Sequence, residues 1–165
     1  MEVYTDGACV HNQIPSLRRA GYGAWWADDH PMNVSLPLAG HTQTNNRAEL
    51  SAVLHVLQHE PRDVHIKTDS EYVLQGCLRH RFTWAATNWT KVRNADLWQQ
   101  VHSCLQRRAS GVRLSKVKGH ATSKDVAKGS VTSRDKHGND SADSLASLAA
   151  MSHAMPAHVV RSFLH

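Results

Sequence analysis

The sequence predicts a layered α/β domain, in which helices cover a mixed β-sheet, and two observations lead to this prediction. Three strand-like segments come first, and segments with helical periodicity then alternate with further strands. The chain has 165 residues, of which 41% are hydrophobic and 20% are charged. This length and composition are typical of a single globular domain with its own core.

The three leading segments are expected to pair as antiparallel neighbours. Residues 2–9 begin with a strand-like run that ends at an Asp-Gly turn signal. Residues 21–27 and 33–39 are apolar and are separated by a turn at residues 28–31. These segments therefore predict the antiparallel part of the sheet.

The periodicity then changes to that of helices. Within residues 46–60, apolar side chains recur at the i, i+3, i+4 and i+7 positions of an amphipathic helix. Further helices are predicted over residues 70–78 and 96–108, and strands over residues 64–68 and 112–118. Trp98, Trp25 and Trp26 are expected to contribute to the core.

The last part of the chain predicts a loop followed by a helix. Asn139 is a good N-cap, and apolar residues recur along one face of the helix that would follow it. Residues 121–138 are polar and rich in small residues, which favours a long exposed loop with Asp125 and Asp135 in solvent. Residues 153–165 are expected to form a further helix or a tail of the same domain.

Charge and cysteine content narrow the class of protein. The net charge is +5 and the isoelectric point is about 9.4, which favours a polyanionic partner. No apolar run approaches the ~20 residues of a membrane helix, and no secretory signal is visible. Cys9, Cys77 and Cys104 lack metal-binding spacing and indicate reduced thiols in an intracellular protein, cytoplasmic or nuclear.

Four carboxylates fall where strand ends and helix starts are expected to converge. Asp6 closes the first predicted strand, Glu49 lies in the first turn of a helix, Asp69 follows a strand, and Asp143 lies in the first turn of the last helix. Close-packed carboxylates resist ionisation unless a cation neutralises them, and Mg²⁺ prefers such oxygen ligands. Two such ions can hydrolyse a phosphodiester.

Each acid also has an ordinary structural explanation. Asp6 fits a turn residue, Asp69 a cap, and Asp143 a favourable charge at a helix N-terminus. Glu49 flanks an apolar stripe and fits a solvated residue. The metal-site prediction therefore depends on the whole set. His55 and His59, one helical turn apart, have no third ligand in view and are interpreted as a solvent-facing pair.

Five short segments resemble, in order, the motifs of the type 1 ribonuclease H family. They are Thr5-Asp6-Gly7, Thr44-Asn45-Asn46-Arg47-Ala48-Glu49-Leu50, Thr68-Asp69-Ser70-Glu71-Tyr72-Val73, Lys118-Gly119-His120-Ala121 and Asn139-Asp140-Ser141-Ala142-Asp143. The resemblance extends from Val3 to about Ala150. The second segment followed by Thr68-Asp69-Ser70 is its most specific part.

The resemblance implies a five-stranded mixed sheet, with three antiparallel strands followed by parallel ones, and a catalytic domain over residues 1–152. It implies an endonuclease that hydrolyses the RNA strand of RNA–DNA hybrids and leaves 5′-phosphate and 3′-hydroxyl ends. Two Mg²⁺ ions, or Mn²⁺ as a substitute, would be held by Asp6, Glu49, Asp69 and Asp143. The spacing from Asn139 selects Asp143 rather than Asp140 as the fourth ligand.

The same resemblance assigns the remaining site residues. His120 matches a mobile histidine that assists proton transfer or departure of the cleaved phosphate; the alternative is an exposed loop histidine. Residues implied to bind the hybrid are Cys9, Asn12, Asn45, Asn46 and Gln75 in the groove and Thr44 at a DNA phosphate. Asn45 and Asn46 alternatively serve as the N-cap of the first helix.

Residues 79–94 mix basic and aromatic side chains, which suits a surface that tracks a nucleic-acid backbone. Trp84 is the predicted DNA contact there. Glu71 stands where the family often has an amide and is left out of the binding set.

A second departure from the family pattern, besides Glu71, and two alternative functions stay open. Residues 121–138 exceed the usual length at this point in the family, and they either add contacts through lysines and arginine or form a tolerated insertion. The alternatives are a related DNA-cutting enzyme of the integrase, transposase or resolvase kind, and a non-catalytic module of a retroelement polyprotein. The sequence also leaves open a free-standing monomer or part of a reverse transcriptase polyprotein.

Overall fold

A computed structural model describes residues 1–155 and shows a five-stranded sheet in the order β3-β2-β1-β4-β5. The strands are β1 (Glu2–Val10), β2 (Arg19–Trp25), β3 (Val34–Pro37), β4 (Val64–Thr68) and β5 (Val112–Lys116). β1 pairs with β2, and β2 with β3, in antiparallel fashion, whereas β4 pairs in parallel with both β1 and β5. The predicted fold class is confirmed.

Six α-helices surround this sheet in the described residues. They are α1 (Asn45–His59), α2 (Glu71–Gln75), α3 (Arg81–Ala86), α4 (Ala95–Arg107), α5 (Ser123–Ala127) and α6 (Ser133–Ala154). A π-helical turn, Gly76–His80, joins α2 to α3, so the helix predicted over residues 70–78 extends to Ala86. The predicted helices at residues 46–60 and 96–108 correspond to α1 and α4.

The helices form one layer on each face of the sheet. On one face, α1 packs against β1 and β2, and α4 packs against α1. The main core lies in this layer and includes Val3, Ile66, Val53 and the fully buried Trp98. Trp25 and Trp26 are also buried, as the sequence predicts. On the other face, α6 packs across β1, β2 and β3.

A glycine on β2 allows α6 to lie very close to the sheet. A Cβ built on Gly23 would lie 2.6 Å from the Cβ of Leu145 and 2.8 Å from the backbone oxygen of Ala142. Residue 23 is the register partner of Asp6 on β1. The close approach therefore brings the middle of α6 over the part of β1 that carries Asp6.

The prediction of a loop over residues 121–138 is wrong, because this segment contains α5 and the first turns of α6. Thr122 caps α5, and its hydroxyl accepts a hydrogen bond from the Asp125 backbone N–H at 3.2 Å. Thr132 caps α6 in the same way, accepting from the Asp135 N–H at 3.0 Å. Two Thr-x-x-Asp capping sequences thus start helices in a segment of low apolar content. Asn139 lies seven residues into α6 and is not its N-cap.

Asp125 and Asp135 are also not the solvated residues that the loop prediction implied. Asp125 accepts a hydrogen bond from Lys118 Nζ at 2.9 Å. Asp135 accepts one from the Tyr4 hydroxyl at 2.5 Å and one from Lys67 Nζ at 2.7 Å. The latter contacts attach the start of α6 to β1 and β4.

The expected helix or tail at residues 153–165 falls mostly outside the described part of the chain and stays a prediction. α6 continues to Ala154, and residues 156–165 lie outside the described part of the chain. Within residues 1–155, none of the helices combines the length and apolar character that crossing a membrane requires.

Candidate active site

Asp6 and Asp69 lie side by side where two parallel strands separate. The pairing of β1 with β4 runs from Glu2 and His65 to Thr5 and Thr68, and it stops there, while β1 continues to pair with β2 as far as Val10. Asp6 and Asp69 are the residues that directly follow the last parallel pair. Asp6 is therefore in the middle of β1, not at its end as the sequence suggested.

Glu49 reaches the same point from α1 because Gly7 has no side chain. A Cβ on Gly7 would lie 2.9 Å from the Cβ of Ala48, so the α1 backbone rests directly on β1. This contact places Glu49, the fifth residue of α1, beside Asp6. Both carboxylates are only 4% exposed, which rules out a solvated Glu49. Glu49 also lies beyond the first turn in which the sequence placed it.

These three acids form a tight and mostly buried cluster. One carboxylate oxygen from each of Asp6, Glu49 and Asp69 lies within 4.8 Å of the others. Burial raises the pKa of Asp6 to about 7, although Asp6 also accepts hydrogen bonds from Glu49 and from the Gly7 N–H at 2.9 Å. Burial and the nearby Asp6 raise the pKa of Glu49 well above its usual range. The cluster thus resists carrying three negative charges.

The donor set of the cluster fits a hard divalent cation. The ligands are all carboxylate oxygens, which Mg²⁺ and Mn²⁺ prefer. Glu49 Oε2 is buried and has no hydrogen-bond partner, so this residue of the cluster keeps a strong acceptor unused. A cation at this point would satisfy that oxygen and offset the repulsion between the three acids.

Asp143 approaches the cluster from the α6 side of the sheet. It is eleven residues into α6 and partly buried, so it is not in the first turn of a helix. A hydrogen bond between Asp143 and Asp6 adds to the rise of the pKa of Asp6. Asp143 is not in the three-acid group defined by the 4.8 Å limit. Asp140, the rejected alternative, forms an ion pair with Lys136 at 2.6 Å.

His120 approaches Asp69 through the segment that follows β5. A Cβ on Gly119 would lie 2.8 Å from Asp69 Oδ2, so only glycine lets this backbone pass so closely. His120 itself is exposed and has a positive φ of 52°. Burial raises the pKa of Asp69, and the nearby His120 opposes that rise. The predicted acids and His120 are thus brought to one place.

Asn139 belongs to this neighbourhood and was missed as a functional candidate. It is 3% exposed, its Oδ1 has no partner, and its side chain is hydrogen-bonded to Asp69. The signal was present in the sequence, because Asn139 and Asp143 are four residues apart and share one face of a helix.

Several predicted substrate-binding residues lie at or near the N-terminus of α1. Thr44 is the N-cap, and its hydroxyl accepts a hydrogen bond from the Arg47 N–H at 3.2 Å. Asn45 and Asn46 are therefore not the N-cap, and both are exposed. Cys9 on β1 is half-buried, with its Sγ 3.7 Å from the backbone oxygen of Gln43. Asn12 is exposed in the loop after β1.

The other two predicted binding residues lie on the helical run that follows β4. Gln75 is partly buried and donates a hydrogen bond to Glu71 at 2.8 Å. The ring of Trp84 packs 5.2 Å from that of Trp98, so much of it belongs to the core. On the same run, Phe82 is 50% exposed and is an aromatic surface residue that the sequence did not single out.

Comparison with known proteins decides the family. The model of the family described as RNase H matches residues 1–151. This chain belongs to the ribonuclease H family. It is 36% identical over 162 residues to Ribonuclease H of Methylobacillus flagellatus, with 88% of each chain covered. It is 34% identical over 149 residues to Ribonuclease H of Schizosaccharomyces pombe, covering 87% of this chain and 50% of that protein.

Solved structures agree with this ribonuclease H fold. The crystal structure of a type 1 RNase H with the type 2 active-site motif has a TM-score of 0.69 at 24% identity, covering 92% of this chain and 72% of the other. The solution structure of the PFV RNase H domain has a TM-score of 0.67 at 25% identity, covering 91% and 93%. As a ribonuclease H, the chain is a metal-dependent endonuclease that acts on RNA–DNA hybrids.

Proposed function

We propose that this ribonuclease H hydrolyses the RNA strand of RNA–DNA hybrids by a two-metal-ion mechanism and leaves 5′-phosphate and 3′-hydroxyl ends. The observation that supports this most is the buried carboxylate cluster at the split between β1 and β4, in which Glu49 Oε2 has no partner. Residues 1–152 would form the catalytic unit.

Asp6, Glu49, Asp69 and Asp143 would hold the ions, which are Mg²⁺ or, as a substitute, Mn²⁺. When bound, the pair of ions supplies an activated water and charge neutralisation at the scissile phosphate. The protein contributes rigidity, since Asp6 is fixed within the paired strand β1, Asp69 directly follows β4, and Glu49 is fixed by its helix. These carboxylates would then need little rearrangement to accept the substrate.

His120 would take part in proton transfer or product release at the edge of the site. Its exposure leaves the imidazole free to meet solvent and substrate together, and its position beside Asp69 keeps it close to the cluster. We assign it to proton transfer to the leaving oxygen or to departure of the cleaved phosphate. This role fits an imidazole, the side chain that most often transfers protons in enzymes.

The hybrid would lie across the N-terminus of α1 and the neighbouring end of β1. Exposed amides at Asn45 and Asn46 can donate to and accept from 2′-hydroxyls and base edges in a shallow minor groove. The hydroxyl of Thr44 and the free N–H groups of this helix end suit a phosphate. The remaining proposed contacts are Cys9, Asn12, Gln75 and, through its exposed edge, Trp84.

The direct test is cleavage of an RNA–DNA hybrid in the presence of Mg²⁺. We expect cleavage products with 5′-phosphates, and an Asp69→Asn variant should be slower by roughly 1,000-fold or more, since it loses a proposed metal ligand. Asp29→Asn is the matched control, because Asp29 is exposed in a turn at a φ of 55°, which Asn also tolerates.

Two results would contradict the proposal. Cleavage of double-stranded DNA at a comparable rate would overturn the hybrid specificity and favour a DNA-cutting relative. A folded protein that binds the hybrid without Mg²⁺-dependent turnover would instead indicate a non-catalytic module. Size-exclusion chromatography tests the accompanying proposal that the chain acts as a monomer; an oligomeric peak would refute it.

A further inference from the structure

The turn that carries His120 has a constrained backbone held between two buried residues. Val117 and Ala121 are 5% and 7% exposed, and they anchor the turn on either side. Between them, the backbone of Gly119 passes close to Asp69. His120 adopts a φ of 52°, in the left-handed region that residues other than glycine occupy less often. The contacts made by its neighbours therefore help to hold the turn in this conformation.

The Asp125 carboxylate connects the two sides of this turn. Its Oδ1 accepts a hydrogen bond from Lys118 Nζ at 2.9 Å. Its Oδ2 accepts one from the backbone N–H of Thr122 at 2.8 Å and one from the Thr122 hydroxyl at 3.1 Å. Lys118 and Thr122 are two residues before and two residues after His120. One carboxylate thus forms hydrogen bonds with residues on both sides of the turn.

Asp125 is itself held firmly. Its own N–H donates to the Thr122 hydroxyl at 3.2 Å, which completes a capping box at the start of α5. Its backbone oxygen accepts two hydrogen bonds from Ser130, at 3.1 Å from the N–H and at 3.0 Å from the hydroxyl. The Asp125 side chain is 14% exposed. The backbone N–H of Thr122 and the ammonium of Lys118 lower the pKa of Asp125 to about 2, so it stays ionised at any working pH.

We propose that Asp125 is a positioning residue that holds the His120 turn over Asp69 through its hydrogen bonds to Lys118 and Thr122. The proposal rests on the function proposed above for His120. It also assigns a structural role to α5, since this helix carries Asp125 and places it next to the turn. The segment at residues 121–138 is then part of the catalytic apparatus, not an insertion that the fold merely tolerates.

The hydrogen bonds of Asp125 to Lys118 and to Thr122 should contribute unequally to holding the turn. Lys118 is about half exposed, so its ion pair with Asp125 is screened by water and contributes little by itself. The hydrogen bond to the Thr122 backbone is short and charge-assisted, and it should carry most of the effect. Lys118→Met is therefore expected to lower kcat less than Asp125→Ala.

A double-mutant cycle tests the proposal on the full chain with an RNA–DNA hybrid and Mg²⁺. Asp125→Ala should lower kcat by about tenfold, as expected for a misplaced proton-transfer group, and leave KM within about twofold. In a His120→Ala background, Asp125→Ala should cause no further loss, because the group that it positions is gone. Asp125→Glu keeps a carboxylate at this capping position and should restore most of the activity.

The outcomes separate the two proposals. If Asp125→Ala slows the His120→Ala protein by the same factor as the wild type, or raises KM instead of lowering kcat, the positioning role is refuted. If His120→Ala is fully active, the proposed role of His120 fails first. If His120→Ala is impaired and a folded Asp125→Ala protein is not, the positioning role alone fails. Should Asp125→Ala melt much earlier than the wild type, Asp125→Asn, which keeps the shape of the side chain but loses its charge, replaces it in the same cycle with the same expected outcomes.

Discussion

In metal-free protein at pH 8, replacing Asp6 by Asn should raise the free energy of unfolding. Asp6 is 4% exposed, and burial raises its pKa to about 7 in the folded protein, against an ordinary value of 3.8. The folded state therefore holds this proton more tightly than the unfolded chain. Above pH 7 the carboxylate is ionised in both states, and its burial beside Glu49 and Asp69 opposes folding.

The size of the effect follows from the two pKa values. Each pKa unit corresponds to about 1.4 kcal/mol, so a rise from 3.8 to about 7 lowers stability by up to about 4 kcal/mol at pH 8. The Asn amide accepts the hydrogen bond from Glu49 less well than the carboxylate does, so we expect a net gain of about 2–4 kcal/mol. At pH 5 Asp6 stays protonated in the folded protein but is ionised in the unfolded chain. The amount by which Asp6 lowers the free energy of unfolding then falls to about 1.5 kcal/mol.

The assay is thermal and urea unfolding of both proteins in EDTA at pH 5 and pH 8, with Asp29→Asn as the control. The Asp6→Asn variant should melt about 5–15 °C higher at pH 8 and gain less than half as much free energy at pH 5. Adding Mg²⁺ should stabilise the wild type more than the variant, and so reduce the difference between their melting temperatures. A variant that gains nothing at pH 8, or gains equally at both pH values, would refute the reasoning.

Three further changes test the packing and the basic surface. Gly23→Ala should lower the free energy of unfolding in urea by about 1–3 kcal/mol, because its Cβ overlaps α6. Tyr72→Phe should cost about 1–3 kcal/mol in the same assay, because the buried Trp98 Nε1–H, 2.8 Å from the Tyr72 hydroxyl, loses its acceptor. Replacing Lys124 and Lys128, which are exposed on α5 and at its C-cap, with Ala should raise KM for the hybrid and reduce the slope of log affinity against log salt by about 1–2, because the hybrid loses two phosphate contacts.

Each of these changes has a matched control in the same chain. Gly111→Ala should be harmless, since its Cβ would meet no atom closer than 3.6 Å. Tyr22→Phe removes a hydroxyl for which the described residues show no hydrogen bond. Arg113→Ala removes a cation near the start of β5, at the opposite end of this strand from His120. If a control changes the measured quantity as much as its test variant, the corresponding interpretation is wrong.

The elements with a strong local signal could be predicted from the sequence. The apolar stripe of α1 and the alternation of β4 fix the period of each element, because a helix or strand must bury one face. The predicted start of the last helix was wrong because Asn139 also suits an N-cap, whereas the actual cap, Thr132, lies seven residues earlier. Capping residues are common in polar segments, and only packing against β1 and β4 shows which cap starts a long helix.

The sequence by itself determined the carboxylate set and its family, because the acids occur inside short motifs whose order is specific. Tertiary structure decided why they meet. Asp6 and Asp69 are neighbours because parallel pairing stops at Thr5 and Thr68, and Glu49 joins them because Gly7 admits the backbone of α1. The hydrogen bonds that join Asp125 to both sides of the His120 turn could not be predicted from the sequence either. They depend on distances in space that spacing along the chain does not specify.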